Sequence, residues 1–404
     1  MNIAICIPTY GCAQAVEQVL NCSLNLYKEY DIDVYYFDSS EDDETKKIVE
    51  KYINLGYDNL YYNKVEEGCL LDYKIDLILE GKGINKKYDY IWPMKNRAYV
   101  DRETLIEIIK SAEEKNDVIV IGATQGNGLS TTVYSDPVEF YGAWGWLVTS
   151  LDIVIYRYES MIDGYNAAEF RDLHKGSYYA NWSIWFYLFC QLAKLKDPKI
   201  KFLYGDNIRK FDVSAGRSLW TKNILEIWVT YWIEANENLP DCYNIYKDRI
   251  IKAAPSMSCI LGGEKRLEEL YRAGAFSLEQ FEKIEKNWER ISDIPRETAT
   301  KIARGENYSE DILYGERREI VSILLSLHNM IAEGKMASRE IPIDDITNYL
   351  LDSYRQKMYC ADEKIDLLKK SLNYIKTKLI DDEIKQAEKC ELIIILLNYF
   401  LVMN

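Results

Sequence analysis

Histidine is almost missing from this chain: His174 and His328 are the only 2 among 404 residues. That excludes a multi-histidine metal centre. Cysteine occurs 9 times, but never as a C-x-x-C pair. A scattered, odd-numbered set provides neither zinc-ligand spacing nor a disulfide framework, so reduced thiols in a cytoplasm are expected. Basic charge is in deficit, with a net charge of -15. Broad nucleic-acid binding needs a basic surface to displace counterions and is not expected here. No apolar run reaches the roughly 20 residues of a membrane span. The nearest, "LIIILLNYFLVMN", is short and interrupted by Asn398. It reads as a buried helix, with docking to a membrane surface or a partner as the alternative. The opening "MNIAICIPTYG" has no basic n-region and reads as strand and turn rather than signal peptide. Strict repeats and low-complexity segments are absent too.

What is present is a 48% hydrophobic chain, ample for a large core. Its first part alternates. "NIAICIP", "IDVYYF", "NLYYN", "YDYIWPM" and "DVIVIGA" read as strands, with helical-period segments between them. Such alternation predicts an α/β fold with parallel strands and helices on the sheet faces. Ligands of such sheets sit beyond the carboxyl ends of the strands, which draws attention to Pro8, Thr9, Tyr10, Asp38 and residues 94–97. After Ala123, "TQGNGLSTTVYSDPVEFYGAWG" reads as a long loop, and "YNAAEFRDLHKGSYYANW" as a second irregular stretch. "SIWFYLFCQLAKL" is an apolar helix, "KIKFLYG" a strand and "NILEIWVTYWIEANENL" an amphipathic helix. From Gly262 onward the periodicity is helical with charged outer faces. The expected division is 1–255 as an α/β domain and 256–404 as an α-helical domain for oligomerisation, acceptor binding or partner binding.

Two strand ends carry candidate chemistry. In "IPTYGCAQAV" Gly11 permits close backbone approach, and the following helix N-terminus favours an anion. Thr9 and Tyr10 are placed to contact a base or phosphate, although every parallel sheet has such turns. In "VYYFDSSEDDETKKIV" a strand ends at Asp38, whose carboxylate can accept from a uracil imide or a ribose hydroxyl. Asp42 or Asp43 with Thr45 suffices to cap the next helix.

"IAICIPTYG" followed by a strand ending in "DSSEDDET" resembles the opening of family 2 glycosyltransferases with the GT-A fold. The resemblance covers roughly the first half of the chain. It implies a Rossmann-like mixed sheet flanked by helices, and transfer of a sugar from a nucleotide donor, usually a UDP-sugar, to an acceptor hydroxyl on a glycan or protein-linked glycan, as in bacterial glycan biosynthesis. Pro8, Thr9, Tyr10 and Asp38 would line the nucleoside pocket. Lys74 in "LDYKIDLIL" would be the family's basic residue facing the nucleotide, or else an ordinary solvated helix lysine. Arg217 and Ser218 in "SAGRSLW" resemble an element near the donor diphosphate.

The chain departs from the family at the fourth strand. There the family places an Asp-x-Asp-type motif that binds Mn²⁺ or Mg²⁺, and this sequence reads "MKNR". Hard divalent cations prefer carboxylate oxygens; Asn96 offers one neutral oxygen, and Lys95 and Arg97 repel a cation. Either cation can neutralise the diphosphate directly. Asp101 is the remaining metal-ligand candidate, and also a candidate cap for the helix that follows. Inversion at the sugar would need a base, for which "EFRDLHKGSYYANW" offers Asp172 first and His174 second, beside Glu169. Trp144, Trp146, Tyr178 and Tyr179, with Tyr141 and Trp182, can stack on acceptor sugar rings or pack in the core. The expected partners are a nucleotide sugar and a glycosylated acceptor, with a homodimer through the helical domain and peripheral membrane contact as further expectations. The competing reading is an inactive GT-A protein that binds a nucleotide sugar or a partner enzyme. A nucleotidyltransferase would want a Gly-rich basic loop after the first strand, which "PTYGCAQA" lacks.

Overall fold

A computed structural model describes residues 1–122, 131–174, 179–204, 208–210, 223–257, 261, 263–292 and 294–306. The strands are β1 (Ile3–Thr9), β2 (Asp33–Asp38), β3 (Leu60–Lys64), β4 (Tyr90–Pro93), β5 (Ala98–Val100), β6 (Val118–Gly122), β7 (Thr131–Tyr134), β8 (Val154–Arg157), β9 (Ile200–Tyr204) and β10 (Ile208–Lys210). Between them lie α1 (Ala13–Glu29), α2 (Glu44–Asn54), α3 (Leu71–Leu79), α4 (Arg102–Glu113), α5 (Pro137–Trp144), α6 (Ala167–Leu173) and α7 (Tyr179–Leu192).

Eight strands form one sheet in the order β3-β2-β1-β4-β8-β6-β9-β7, and β5 pairs with β10 in a small second sheet. β1, β2, β3 and β4 run parallel. β8 is antiparallel to both β4 and β6, which makes the sheet mixed. A mixed sheet flanked by helices is the arrangement expected from the sequence. Every residue of β1 and of β2 is buried, as expected of central strands covered on both faces. The chain lays β2 and β3 on one side of β1, then returns to place β4 on the other. That reversal opens a crevice at the carboxyl ends of β1 and β4. Register then sets the neighbours: Thr9 lies opposite Asp38, and Cys6 opposite Pro93.

The stretch after Ala123 is more regular than its composition suggests. β7 and α5 occupy much of the expected long loop. Asp136 caps α5 by accepting from Val138 N at 2.7 Å, and Pro137 stands in the first turn; proline is tolerated there because its missing N–H has no intrahelical partner. The second irregular stretch contains α6, capped by Asn166 through Glu169 N at 3.1 Å. β8 has four residues, too few to display a period.

The helical character expected beyond Gly262 is seen in Glu264–Arg272, Leu278–Ile284, Trp288–Ile291 and Arg296–Ala303; residues 307–404 lie outside the described part. The expected boundary after residue 255 falls inside the helix Lys247–Met257. Arg290 pairs with Glu237 at 2.8 Å and joins these later helices to the one at Trp232–Glu237. Among the described residues no helix is long and apolar enough to cross a membrane.

Packing where β6 meets β9 is tight. A Cβ on Gly122 would lie 2.3 Å from Phe202 Cε1, and Phe202 is itself stacked on Trp144 with ring centroids 4.3 Å apart. Gly122→Ala should therefore lower stability by about 1–3 kcal/mol, the usual cost of overpacking. Denaturant unfolding checks this; an unchanged midpoint would mean that Phe202 can yield.

Candidate functional site

The crevice is built around the end of β1. α3 starts above the strand ends and sends the Lys74 side chain down to them. Lys74 is only 4% exposed. Its Nζ donates to Thr9 O at 2.9 Å and to Ser39 Oγ at 2.7 Å. Burial holds the Lys74 ammonium below the usual lysine range, while Cys69, Asp38 and Cys12 act in the opposite direction. Lys74 is thus a strut between α3 and two strand ends, not a solvated helix lysine.

Asp38 is sealed beneath this floor at 0% exposure. Its Oδ1 accepts from Ser40 N at 3.0 Å and Ser40 Oγ at 2.5 Å, and its Oδ2 from Tyr62 OH at 2.8 Å. Ser40 Oγ in turn accepts from Gly11 N at 2.8 Å, and Lys64 Nζ donates to Ser40 O. A uracil imide would reach Asp38 only by displacing Ser40 or Tyr62. In this structure the carboxylate instead joins the turn after β1 to the turn after β2. Ser39, Ser40 and Tyr62 are the residues that sequence reasoning passed over. The signal for Ser40 was its place two residues after Asp38, the spacing at which an aspartate bonds its own backbone. At the rim, Tyr10 is 46% exposed, with its hydroxyl donating to Glu41 Oε1 at 3.3 Å. Gly11 turns the chain with φ +59°, a conformation natural to glycine. Pro8 is buried in β1 behind them.

Residues 95–98 form a tight turn closed by Ala98 N donating to Lys95 O at 3.0 Å. Asn96 Nδ2 donates across the crevice to Thr9 Oγ1 at 3.3 Å. Lys95 Nζ donates to Ser150 Oγ at 2.7 Å and lies 3.3 Å from Asp152 Oδ1. Asp152 is 0% exposed, and the sequence alone did not mark it: it is one acid between apolar runs. Arg97 is exposed and, among the described residues, pairs with no carboxylate. Its charge is therefore the one turned to solvent at this strand end, whereas that of Lys95 is already balanced by Asp152.

Asp101 serves as the N-cap of α4, its Oδ1 accepting from Thr104 N at 2.9 Å. Among the described residues no group of three or more His, Cys, Asp or Glu side chains is placed to hold a metal ion. A divalent cation wants several oxygen ligands, and the end of β4 presents an ammonium, a guanidinium and one amide. This donor set does not fit Mn²⁺ or Mg²⁺.

Asp172 and His174 belong to α6 and its C-terminal end, not to a loop. α6 docks on α3 through Arg171, which pairs with Asp76 and lies 3.8 Å from Asp72. Lys74, two positions away on a helix of 3.6 residues per turn, points elsewhere. Asp172 and Glu169 are exposed. His174 is packed against Phe170 and Phe186, each at 4.6 Å between ring centroids.

The aromatic candidates mostly pack. Trp144 stacks on Phe202 and its Nε1 donates to Tyr134 OH at 2.8 Å. Trp146 Nε1 donates to Ala143 O at 3.2 Å. Tyr141 is fully buried, bonded to Asn236 Oδ1 at 2.7 Å. Trp182 lies against Trp228 and Trp232 at 4.7 and 4.8 Å. Trp144 and Trp146 are half-buried, and both indole N–H groups are engaged within the protein. Tyr178, Arg217 and Ser218 lie outside the described residues, as does the side chain of Tyr179.

No protein-family model matches the chain, and no curated protein matches it. Solved structures of similar layout include S. aureus TarS 1-349, at 16% identity over 77% of this chain and 94% of that one, TM-score 0.44. The same TarS fragment in complex with UDP-GlcNAc aligns at 15% identity with the same coverage of 77% and 94%, TM-score 0.43. The mannosyltransferase PcManGT from Pyrobaculum calidifontis, in complex with GDP-Man and Mn2+, aligns at 14% identity over 74% of this chain and 83% of that one, TM-score 0.38.

His174 yields a direct test of the packing around α6. Burial, with a smaller contribution from Lys194, holds its imidazolium pKa below the ordinary 6.5. A base with a depressed folded-state pKa contributes stability that is present above pH 6.5 and lost as pH falls through the folded value. With His328→Gln leaving one histidine, an NMR titration of the His174 ring should show a midpoint below 6.5. A midpoint at or above 6.5 would mean that the ring is solvated.

Proposed function

We propose that the crevice between β1 and β4 binds a nucleotide sugar, with a UDP-sugar as the donor, and that the chain is a family 2-like glycosyltransferase acting on a hydroxyl of a glycan or protein-linked glycan. The observation that carries this reading is the turn at the end of β4. It carries the exposed Arg97 next to Asn96, which bridges to Thr9 Oγ1 at 3.3 Å, and Thr9 leads into the Tyr10–Gly11 turn after β1. Ligands of open α/β sheets bind at such a reversal of strand order.

The chemistry follows from what leaves. Breaking the bond between sugar and nucleotide develops negative charge on a nucleoside diphosphate. A fixed cation that meets that charge lowers the barrier, because it needs no reorganisation when the charge appears. Arg97 has the right shape for this, since its planar guanidinium can hold two phosphate oxygens at once. Lys74 and Thr9 form the floor, and Tyr10 offers an exposed ring to the base. Asp172 is proposed as the group that takes the acceptor proton; it is an exposed carboxylate, whereas His174 is enclosed by rings.

Calorimetric titration with UDP tests the donor. Binding should survive EDTA, and Arg97→Ala should weaken UDP binding by about 1.5–3 kcal/mol, the range for a charge-assisted hydrogen bond, while leaving uridine binding unchanged. Strict dependence on Mn²⁺, or equal losses for both ligands, would contradict the assignment. Asp172→Asn should suppress sugar transfer by about a hundredfold or more, the contribution of a general base, with UDP affinity intact. Full activity in that variant would move the base elsewhere.

A further inference from the structure

Asp152 is a fully buried carboxylate at the end of a short polar relay that begins at Lys95, on the turn after β4. Lys95 Nζ donates to Ser150 Oγ at 2.7 Å, and Ser150 Oγ donates to Asp152 Oδ1 at 2.5 Å. The ammonium also lies 3.3 Å from Asp152 Oδ1, with the Lys95 side chain 37% exposed and that of Asp152 0% exposed. The backbone of Asp152 is tied to the sheet, since Trp92 Nε1 on β4 donates to the Asp152 carbonyl O at 2.9 Å. The acid is buried, while the lysine is long and its side chain is 37% exposed on the turn that follows β4.

We propose that Asp152 is a built-in counter-anion for Lys95, and that the phosphates of a bound ligand compete with it for the ammonium. A nearby cation offsets the cost of burying a carboxylate, and the Lys95 ammonium lies against Asp152, so before a ligand arrives its charge is directed inward. An arriving diphosphate draws on the same ammonium from the opposite side. Its net gain is smaller than that from an uncommitted lysine, because the Coulomb terms of the two anions oppose each other. Asp152 thereby holds down affinity for the charged part of a ligand and leaves that for the uncharged part untouched. For a transferase this favours release of the spent nucleoside diphosphate. The identity of the ligand rests on the nucleotide-sugar reading; the competition between anions does not.

Asp152→Asn is nearly isosteric, keeps the carbonyl that Trp92 bonds, and still accepts from Ser150. The folded variant should bind both UDP and inorganic pyrophosphate more tightly at low salt, by on the order of tenfold for one charge in a partly screened site. Its affinity should fall more steeply with salt than that of the unaltered protein, and uridine binding should not change. Lys95→Gln gives the converse and guards against a misfolded first variant. It removes the ammonium that a diphosphate would draw on, so pyrophosphate binding should weaken. Weaker or unchanged pyrophosphate binding in Asp152→Asn would overturn the counter-anion role, as would unchanged binding in Lys95→Gln or absence of pyrophosphate binding from all three proteins. Pyrophosphate binding without UDP binding would instead overturn the nucleotide-sugar reading and leave the counter-anion role to be judged on pyrophosphate alone.

Discussion

The buried ammonium of Lys74 ties α3 to the ends of two adjacent strands through Thr9 O and Ser39 Oγ. The rest of the crevice depends on that tie. It can form because Thr9 and Asp38 are in register, so the turns after β1 and β2 lie side by side. Once α3 is anchored there, its other face receives α6 through Arg171. A lysine in this setting costs desolvation, and its two hydrogen bonds offset part of that cost by joining three elements at one point.

Around this anchor the polar side chains fall into two groups. Asp38, Lys74 and Asp152 face inward and hold turns and helices in place. Tyr10, Arg97 and part of the Lys95 side chain reach solvent at the ends of β1 and β4. A sequence motif cannot separate these groups, because near neighbours in the chain meet different surroundings. Lys95 and Arg97 share one turn, yet one is balanced by a buried acid and the other is turned to solvent.

The sheet was legible because its central strands are continuous apolar runs and its helices carry a clear 3.6-residue period. The position of the crevice followed from strand order alone. The region from residue 131 to 174 was less legible: β7 and β8 are four residues long, and α5 and α6 are short helices begun by Asp136 and Asn166 caps in turn-rich surroundings. The reading of Asp38 as a ligand contact did not anticipate Ser40 and Tyr62, which engage both of its oxygens. The second of these comes from β3, 24 residues away, and tertiary partners of that kind leave no local signature. Lys95 stood out as a cation after the fourth strand, but its partner Asp152 lies far along the chain and is visible only in three dimensions.

Ligand phosphates and base are proposed to meet at the carboxyl ends of β1 and β4. A second concavity of about 540 Å³ exists at the opposite end of these strands, lined by Lys87, Lys115, Arg157, Tyr88 and Tyr158 among others, so the crevice has a competitor on the same molecule. Amide hydrogen exchange with and without a UDP-sugar separates the two. Protection is predicted to be confined to residues 9–12 and 94–98, with the β4 amino end and residues 157–159 unchanged. Protection at the Lys87–Arg157 end, with none at residues 9–12, would contradict the placement of the ligand in the crevice.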